Sequence, residues 1–288
     1  MKNVVLSNED FQDFPIGEFP YDKDHTAMGE YQYVVANGYH GNWVDMVCNY
    51  TYNGTGPTWL ITERDGRHFM ESMRIEKNRP HRMFPTLETG KHQWKDYEVS
   101  VSVRRLSQKG MAGLVFSMNH SIDTLVFYLD GKDKAAVAYR HKEEVQVLKE
   151  VSFPHGCDQE YRLKVDCDGR IAKVYVDDQE LFRVEDDLVA RGGKVGISAD
   201  CPSRFADFKV CVSEKTKQEI EVAELAVKET ETEEMKKHPK MKLWKKIDLK
   251  NFGTSRQIRF GHLTGTDEWY VVLAQMQKRV SRDAYGFI

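Results

Sequence analysis

The sequence predicts an all-β protein built as an antiparallel sandwich. From about residue 97 onward, apolar and polar residues alternate with a period of two in one short stretch after another, which is typical of strands with one buried face. Turn-forming residues separate these stretches about every eight to twelve positions. No helical pattern long enough to connect parallel strands lies between them, which argues against the α/β classes. These observations favour a sandwich or a barrel.

The predicted strands continue as far as residue 212. In the first of them, apolar residues from Tyr97 onward alternate with Glu98, Ser100 and Ser102, and we expect this polar face to contact solvent. One short helical piece is predicted at residues 186–190. The predicted strands are 97–103, 112–116, 125–129, 135–141, 145–151, 161–165, 171–176, 181–184, 195–199 and 205–212.

Pairs of turn residues separate the strands along the whole region. Asp130-Gly131, Asp168-Gly169 and Asp177-Asp178 each lie between two strand-like stretches and predict hairpins. In the first ninety residues, strands are predicted at 31–35, 44–50 and 59–62. We therefore assign residues 1–212 to one sandwich domain, with a separate N-terminal domain as the alternative.

Residues 213–240 differ in composition from the rest of the chain. They are rich in Glu and Lys, contain no aromatic residue and end just after Pro239. We interpret them as a charged, partly helical linker, with a dedicated binding helix as the alternative. Residues 241–288 contain strand-like stretches but are too few for an ordinary independent β domain. They either dock on the sandwich or begin a domain that is cut short.

Composition and charge exclude several functional classes. The 288 residues carry a formal net charge of −3, so no strong positive field favours nucleic acid or an anionic membrane. The N-terminus lacks the apolar run of a secretory signal, and no stretch approaches the roughly 18 apolar residues that span a bilayer. From these observations we expect a soluble, cytoplasmic protein.

Five motifs in order along the sandwich resemble a known fold family. They read WKDYEVSVSVRR, GMAGLVFS, YRLKVDCDGRIAKVYVDDQELF, GGKVGISA and FADFKV. This order is similar to the concanavalin-like jelly roll of laminin-G-type lectin modules and of the 3-keto-glycoside hydrolase family. The resemblance covers about residues 10–212. It implies a concanavalin-like antiparallel jelly-roll sandwich that binds or processes carbohydrate.

The C-terminal segment resembles a different family. IRFGHLTGTDEWYVVLAQMQKRVSRDAYGFI is similar to the first blade of the β-propeller in rhamnogalacturonan lyases. Blades of that family carry carboxylate-rich calcium loops, whereas His262, Thr264 and Thr266 occupy those positions here and Asp267 remains. The resemblance implies that residues 241–288 are a truncated first propeller blade. We expect no cofactor, with calcium at this loop as the alternative.

The two resemblances imply a carbohydrate-recognition module of a polysaccharide-degrading, rhamnogalacturonan lyase-like protein. The expected partner is a poly- or oligosaccharide, with an acidic one as an option, and neither nucleic acid nor membrane is expected. The chain itself is expected to lack the catalytic part, and no catalytic residue is assigned. Two alternatives stay open: a glycoside hydrolase with its active site in the jelly roll, and an interaction module without a sugar ligand.

Sugar recognition requires an aromatic ring for the C–H face of a pyranose and polar side chains for its hydroxyls. One predicted set is Trp59 with Glu63 and Arg64, near His68. The alternative for each aromatic residue is a place in the sandwich core. The second predicted set, on neighbouring strands and expected to share a face, is Tyr128, Tyr139, Arg140 and His141.

Other candidate residues are weighed against ordinary structural roles. Glu63 and Asp65 have the spacing of a paired-carboxylate glycosidase site, although Asp65-Gly66 reads as a turn. Ten histidines and five cysteines show no spacing of a metal site, so none is predicted. Arginines suited to an anionic uronate, or else to a solvated strand face, are Arg64, Arg74, Arg104 and Arg105.

Overall fold

Two antiparallel β-sheets pack as a sandwich in the computed structural model, which describes residues 2–19, 26–27, 33–34, 43–45, 59–72, 86–120, 123–141 and 144–237. This confirms the predicted fold class. The elements are β1 (Val4–Glu9), β2 (Gly17–Phe19), β3 (Thr26–Ala27), β4 (Tyr33–Val34), β5 (Val44–Asp45), β6 (Trp59–Arg64), β7 (Arg67–Ser72), β8 (Thr86–Thr89), β9 (Glu98–Arg105), β10 (Met111–His120), β11 (Asp123–Asp130), β12 (Lys134–His141), β13 (Glu144–Ser152), β14 (Glu160–Asp168), β15 (Ile171–Val176), β16 (Gln179–Glu185), α1 (Asp187–Ala190), β17 (Lys194–Ala199), β18 (Ser203–Val212) and α2 (Glu214–Lys237).

Most strands from the first ninety residues belong to the same two sheets as the later ones. Within the described residues, the first sheet has the order β16-β15-β14-β9-β18-β7-β6-β2, and β1 pairs with β18. The second sheet has the order β13-β12-β11-β10-β17-β8-β5. Strands β3 and β4 pair only with each other. Because β1 pairs with β18, the two ends of the predicted sandwich lie side by side.

The predicted turns set the register of the hairpins. Gly131 and Gly169 have φ values of 63° and 54°, in the left-handed region that glycine adopts without strain. Asp177 and Asp178 have φ values of 48° and 63°, so this two-residue turn has positive φ at both central positions. In the β11–β12 hairpin, the turn after Asp130 places Asp123 opposite His141.

The core lies between the sheets and is filled by every second residue of the paired strands. Valines of β9, such as Val99 and Val101, are fully buried in the same core cluster as Leu125 and Phe127 of the second sheet. Trp43 packs edge-on to Phe208, with ring centroids 4.8 Å apart. Burial of such side chains is the main favourable contribution to folding.

One face of β9 differs from its prediction. Ser100 and Ser102 were predicted to contact solvent, but both are buried. The Arg162 side chain lies across them: its Nη2 donates to Ser100 Oγ at 2.6 Å, and its Nη1 donates to the Asp207 carbonyl at 2.7 Å. Burial lowers the pKa of Arg162, and nearby Asp207 opposes this. A long cation from the neighbouring strand thus covers polar residues that their spacing alone assigns to solvent.

A second apolar cluster lies on the opposite face of the second sheet. Alternation along β11 directs Leu125 and Phe127 to the core and directs Val126 and Tyr128 to the other side. The members of this outer cluster are Met111, Val115, Met118, Val126, Tyr128, Ala136 and Ala138, and all are buried.

The predicted linker begins as a helix that contacts the sandwich. In α2, Ile220 is 2% exposed and belongs to the main core. Lys95 bonds Glu219 at 2.9 Å, and Lys91 pairs with Glu224, so two ion pairs flank this contact. Among the described residues, no helix combines the length and apolar character needed to cross a membrane. The predicted propeller blade, 241–288, lies outside the described residues.

We expect Ile220→Ala to lower the free energy of unfolding by about 2–3 kcal/mol, because it removes a buried branched side chain and leaves a cavity. Val222→Ala is the matched control, since Val222 lies on the same helix and is 67% exposed. Urea denaturation of both variants measures the difference. Equal, small effects of the two substitutions would show that α2 is a solvated tether.

Candidate functional site

The second predicted set of site residues is divided between the two faces of its sheet. Tyr128 and Arg140 point to the outer face, where both are buried, and burial lowers the pKa of Arg140. Tyr139 and His141 point to the opposite face, where Tyr139 is half-buried and His141 is exposed. Because neighbouring residues of a strand alternate in direction, Arg140 cannot share a face with Tyr139 and His141. Tyr128 pairs with Ala136 and so lies on the same face as Arg140. The structure therefore brings together Tyr139 and His141 only.

The first predicted set does not form an aromatic platform. Trp59 is fully buried, and its ring centroid lies 5.9 Å from that of Phe205, so the indole is a core residue. Glu63 and Arg64 are exposed at the end of the β6–β7 hairpin, opposite His68 and Arg67 respectively. Trp59 is therefore a residue of the sandwich core, which was the alternative to a sugar-binding role.

Tyr139 and His141 belong to a group of four side chains on one face of the β12–β13 ladder. Gln146 pairs directly with Tyr139, and Glu144 pairs with His141. Opposite residues in such a ladder have Cβ atoms about 4.5–5.5 Å apart, so the four side chains are neighbours. Together they line an open depression of about 350 Å³. We call these four residues the β12–β13 patch.

Asp123 holds this patch in place from the neighbouring strand. Its Oδ1 accepts hydrogen bonds from Tyr139 Oη at 2.9 Å and from Arg191 Nη1 at 2.7 Å. Its Oδ2 accepts one from Asn119 Nδ2 at 3.2 Å. Burial opposes ionisation of Asp123, but the hydrogen bonds from Arg191, Tyr139 and Asn119 outweigh it, and the pKa of Asp123 is lowered. The carboxylate is thus charged at neutral pH.

These bonds also fix the protonation of the patch. Tyr139 carries a single hydroxyl proton, which it donates to the Asp123 carboxylate, an acceptor only. Tyr139 Oη lies 3.0 Å from His141 Nδ1, and with its proton already used it accepts from Nδ1–H. In neutral His141 the remaining nitrogen, Nε2, is therefore an acceptor. Burial and the bond to Asp123 raise the pKa of Tyr139, which keeps its hydroxyl protonated.

Arg191 reaches Asp123 because of the way α1 ends. Asp186 caps the start of α1, accepting from the Leu188 amide at 2.9 Å. At the other end, Gly192 and Gly193 have φ values of 64° and 122°, and a side chain at either would collide with the carbonyl of Trp94 or Met118. This tight turn directs the Arg191 guanidinium onto the Ser117 carbonyl, with Nε at 3.1 Å and Nη2 at 2.7 Å.

The arginines predicted to suit a uronate have other roles or positions. Arg105 is buried, and its Nη1 donates to the Gly110 carbonyl at 2.8 Å. The Nη1 atom of Arg104 lies 3.7 Å from Oδ1 of the exposed Asp158. Arg74 lies outside the described residues. Arg191, which the sequence did not single out, is the guanidinium that contacts the patch.

Glu63 and Asp65 are exposed on the β6–β7 turn, where Asp65 has a φ of 53°. In the part of the chain that the structure describes, no group of three or more His, Cys, Asp or Glu side chains is arranged to hold a metal ion.

Several residues of the site were missed from the sequence. Asp123 could have been found, because the Asp130-Gly131 turn fixes the hairpin register and so places Asp123 opposite His141. Glu144 and Gln146 follow from the next hairpin in the same way. Arg191 is 68 residues away from Asp123 in sequence, and no local pattern predicts this contact.

Comparison with known proteins gives similarity of fold only. No family model and no curated protein matches the sequence. Among solved structures, the carbohydrate binding module CBM66 from Bacillus subtilis has 17% identity and a TM-score of 0.45, over 59% of this chain and 95% of that one. A protein of unknown function with galectin-like fold from Bacillus subtilis has 11% identity and a TM-score of 0.47, over 74% and 99%. The galectin LEC-6 of Caenorhabditis elegans has 10% identity and a TM-score of 0.37, over 49% and 94%.

We expect Asp123→Asn to lower the free energy of unfolding by about 1.5–3 kcal/mol at neutral pH, because it weakens charge-assisted bonds to a largely buried group. A carboxylate with a lowered pKa stabilises the fold above its ordinary pKa, about 3.9, and this contribution is lost as the pH falls through the folded-state value. The difference between wild type and variant should therefore shrink on acidification below about pH 4.

Denaturation curves at neutral and acidic pH measure this dependence. Asp178→Asn serves as the control, since exposed Asp178 forms an ion pair with Lys164 at 2.8 Å. Exposed pairs contribute little, so this variant should change stability much less. A pH-independent effect of Asp123→Asn would contradict the assigned charge.

Proposed function

We propose that this protein binds a carbohydrate at the β12–β13 patch. The observation that carries the proposal is that Tyr139 and His141 lie side by side on an open surface, with their polar edges fixed by Asp123 and Arg191. The ring centroids are 5.7 Å apart, with planes inclined by 32°. Such a surface offers ring faces for the apolar C–H groups of a sugar and fixed hydrogen-bonding groups for its hydroxyls.

The patch has both donors and acceptors for hydroxyl groups. His141 Nε2 and the Glu144 carboxylate accept, whereas the Gln146 amide both donates and accepts. A sugar hydroxyl also does both, so each of these side chains can pair with one. The hydrogen bond to Asp123 holds Tyr139 before any ligand arrives. Little conformational entropy of this side chain is then lost on binding.

The charges around the patch favour a neutral glycan over an acidic one. Arg191 is already paired with Asp123 at 2.7 Å and is therefore a weak partner for a uronate carboxylate. Glu144 adds a carboxylate that would repel one. In this respect the proposal differs from the acidic polysaccharide considered from the sequence.

A rhamnogalacturonan lyase-like parent protein stays a separate proposal. Its support is the sequence resemblance of residues 241–288, which lie outside the described residues. The carbohydrate-binding proposal does not depend on it, because the β12–β13 patch is made entirely by residues of the sandwich.

We expect Tyr139→Ala to weaken glycan binding by about tenfold or more, since it removes a central aromatic contact. Tyr139→Phe keeps the ring and should retain part of the affinity. Tyr175→Ala is the matched control, because Tyr175 is a half-buried tyrosine of the other sheet, near Lys164. A screen of neutral and uronate-containing oligosaccharides, followed by calorimetry, measures these effects. Absence of binding to any glycan by the folded wild type would refute the proposal.

We also expect the chain to bind without cleaving. Elimination next to a uronate requires a base and a cation or arginine at the carboxylate, and Arg191 is occupied by Asp123. Absorbance of unsaturated uronate products, followed with rhamnogalacturonan and polygalacturonate, tests this point. A rise in absorbance that persists in Tyr139→Ala would place lyase activity elsewhere in the chain.

A further inference from the structure

A cavity of about 620 Å³ lies between α2 and the end of the second sheet, and the β12–β13 patch contributes nothing to it. Its volume falls within the range of about 300–1,000 Å³ that is usual for small-molecule sites. Its apolar lining residues are Trp94, Ile220 and Leu6. Its polar lining residues include Glu88 and Lys194, from β8 and β17.

Glu88 lines this cavity, and one oxygen of its buried carboxylate has no hydrogen-bond partner. Glu88 is 3% exposed, and its Oε1 is paired with the ammonium of Lys194. Its Oε2 is buried and has no hydrogen-bond partner. Leaving a buried acceptor unpaired costs about 1–3 kcal/mol, more if the group is charged. Because Oε2 is shielded from solvent, the Glu88 side chain must turn before a ligand donor can reach this oxygen and remove the cost.

The charges that line the cavity compensate one another. Three are acidic and three are basic, and each basic residue has an acidic partner. Lys194 pairs with Glu88 and Lys91 with Glu224, while Lys217 lies 3.9 Å from Glu221. A charged ligand would gain no excess of opposite charge here and would lose its hydration. A neutral ligand with many hydroxyls can donate to Glu88 and accept from the lysines.

The position of the Trp94 ring in the cavity lining requires a glycine at residue 90. Gly90 has a φ of 87°, and a side chain there would collide with the six-membered ring of Trp94. The indole therefore lies directly on the Gly90 backbone and is 7% exposed. A cavity lined by an aromatic residue and by hydrogen-bonding groups suits a pyranose or furanose ring, which has apolar C–H groups and polar hydroxyls.

We propose that this α2 cavity is a second binding site, for a neutral mono- or disaccharide, with Glu88 as the acceptor of a ligand hydroxyl and Trp94 as the apolar contact. The site is formed by α2, β1, β8, β17 and the loop after β8, so it is independent of the carbohydrate site proposed at Tyr139.

The test follows the indole N–H signal of Trp94 by NMR in the full chain, assigned with Trp94→Phe. The probes are D-glucose, D-galactose, D-fructose, D-xylose, L-rhamnose and maltose, at concentrations up to about tenfold above a millimolar Kd. D-Galacturonate and D-glucosamine are charged counterparts of galactose and glucose. We expect at least one neutral sugar to shift the signal, and its charged counterpart to do so at least about tenfold more weakly.

Glu88→Ala should weaken this binding by about tenfold or more, through loss of a charge-assisted hydrogen bond. Glu71→Ala is the matched control, because buried Glu71 pairs with Arg204 at 2.8 Å in the other sheet, away from the cavity. Ser7→Phe fills the cavity from β1 without altering Glu88, so the test holds even if Glu88→Ala does not fold. Tyr139→Ala should leave the Trp94 shift unchanged.

Three outcomes would overturn the proposal. The first is that no neutral sugar shifts the Trp94 signal of the folded wild type. The second is that the shift persists in Ser7→Phe. The third is that galacturonate or glucosamine binds as tightly as its neutral counterpart. Loss of the shift in Tyr139→Ala would instead assign all binding to the β12–β13 patch.

Discussion

Side chains alternate between the two faces of every strand, and in the second sheet this alternation decides which residues enter the core and which can contact a ligand. Leu125 and Phe127 fill the interior, and Tyr139, on the same face nearer the end of the sheet, is only half-buried. A one-residue slip of β12 would turn Arg140 toward the interior and remove Tyr139 from Asp123. The cost of burying an arginine among apolar residues therefore protects the register on which the candidate site depends.

The contact between Arg191 and Asp123 connects the turn after α1 to the second sheet. Both side chains are mostly shielded, with 27% and 13% exposure, so their bond is screened by water less than a surface pair. The guanidinium also binds the Ser117 carbonyl, which leaves few of its donors unused. Removal of either partner would leave a poorly compensated charge, and removal of Asp123 would also take away the acceptor that fixes the Tyr139 hydroxyl. The rigidity of the patch thus comes from a long-range ion pair.

Much of the fold could be predicted from the sequence, because strand alternation and turn chemistry are local. The strands after residue 97 and the hairpins at Asp130-Gly131 and Asp168-Gly169 are confirmed. Strand β1, with the sequence VVLSNE, was missed because it lacks a clear alternation and depends on pairing with the distant β18.

The candidate site was predicted less well, for a related reason. Residue type and strand membership identified Tyr139 and His141. Excluding Tyr128 and Arg140 from the site required knowledge of the direction in which each side chain points. The roles of Arg191 and of the Glu88–Lys194 pair depend on which strands become neighbours, which composition and spacing do not determine.

The two proposed sites lie at the same end of the second sheet. Asp123 is opposite His141, and further along the sheet Met118 is opposite Lys194, so both sites fall near one row of residues. The strand order places β8 four positions from β12, a distance of about 19 Å at the usual spacing of about 4.8 Å between strands. Met118 belongs to the outer cluster, so the Glu88–Lys194 pair lies on the outer face of the sheet, whereas Tyr139 and His141 point to the opposite face. The two sites are therefore separate surfaces, and occupation of one does not require occupation of the other.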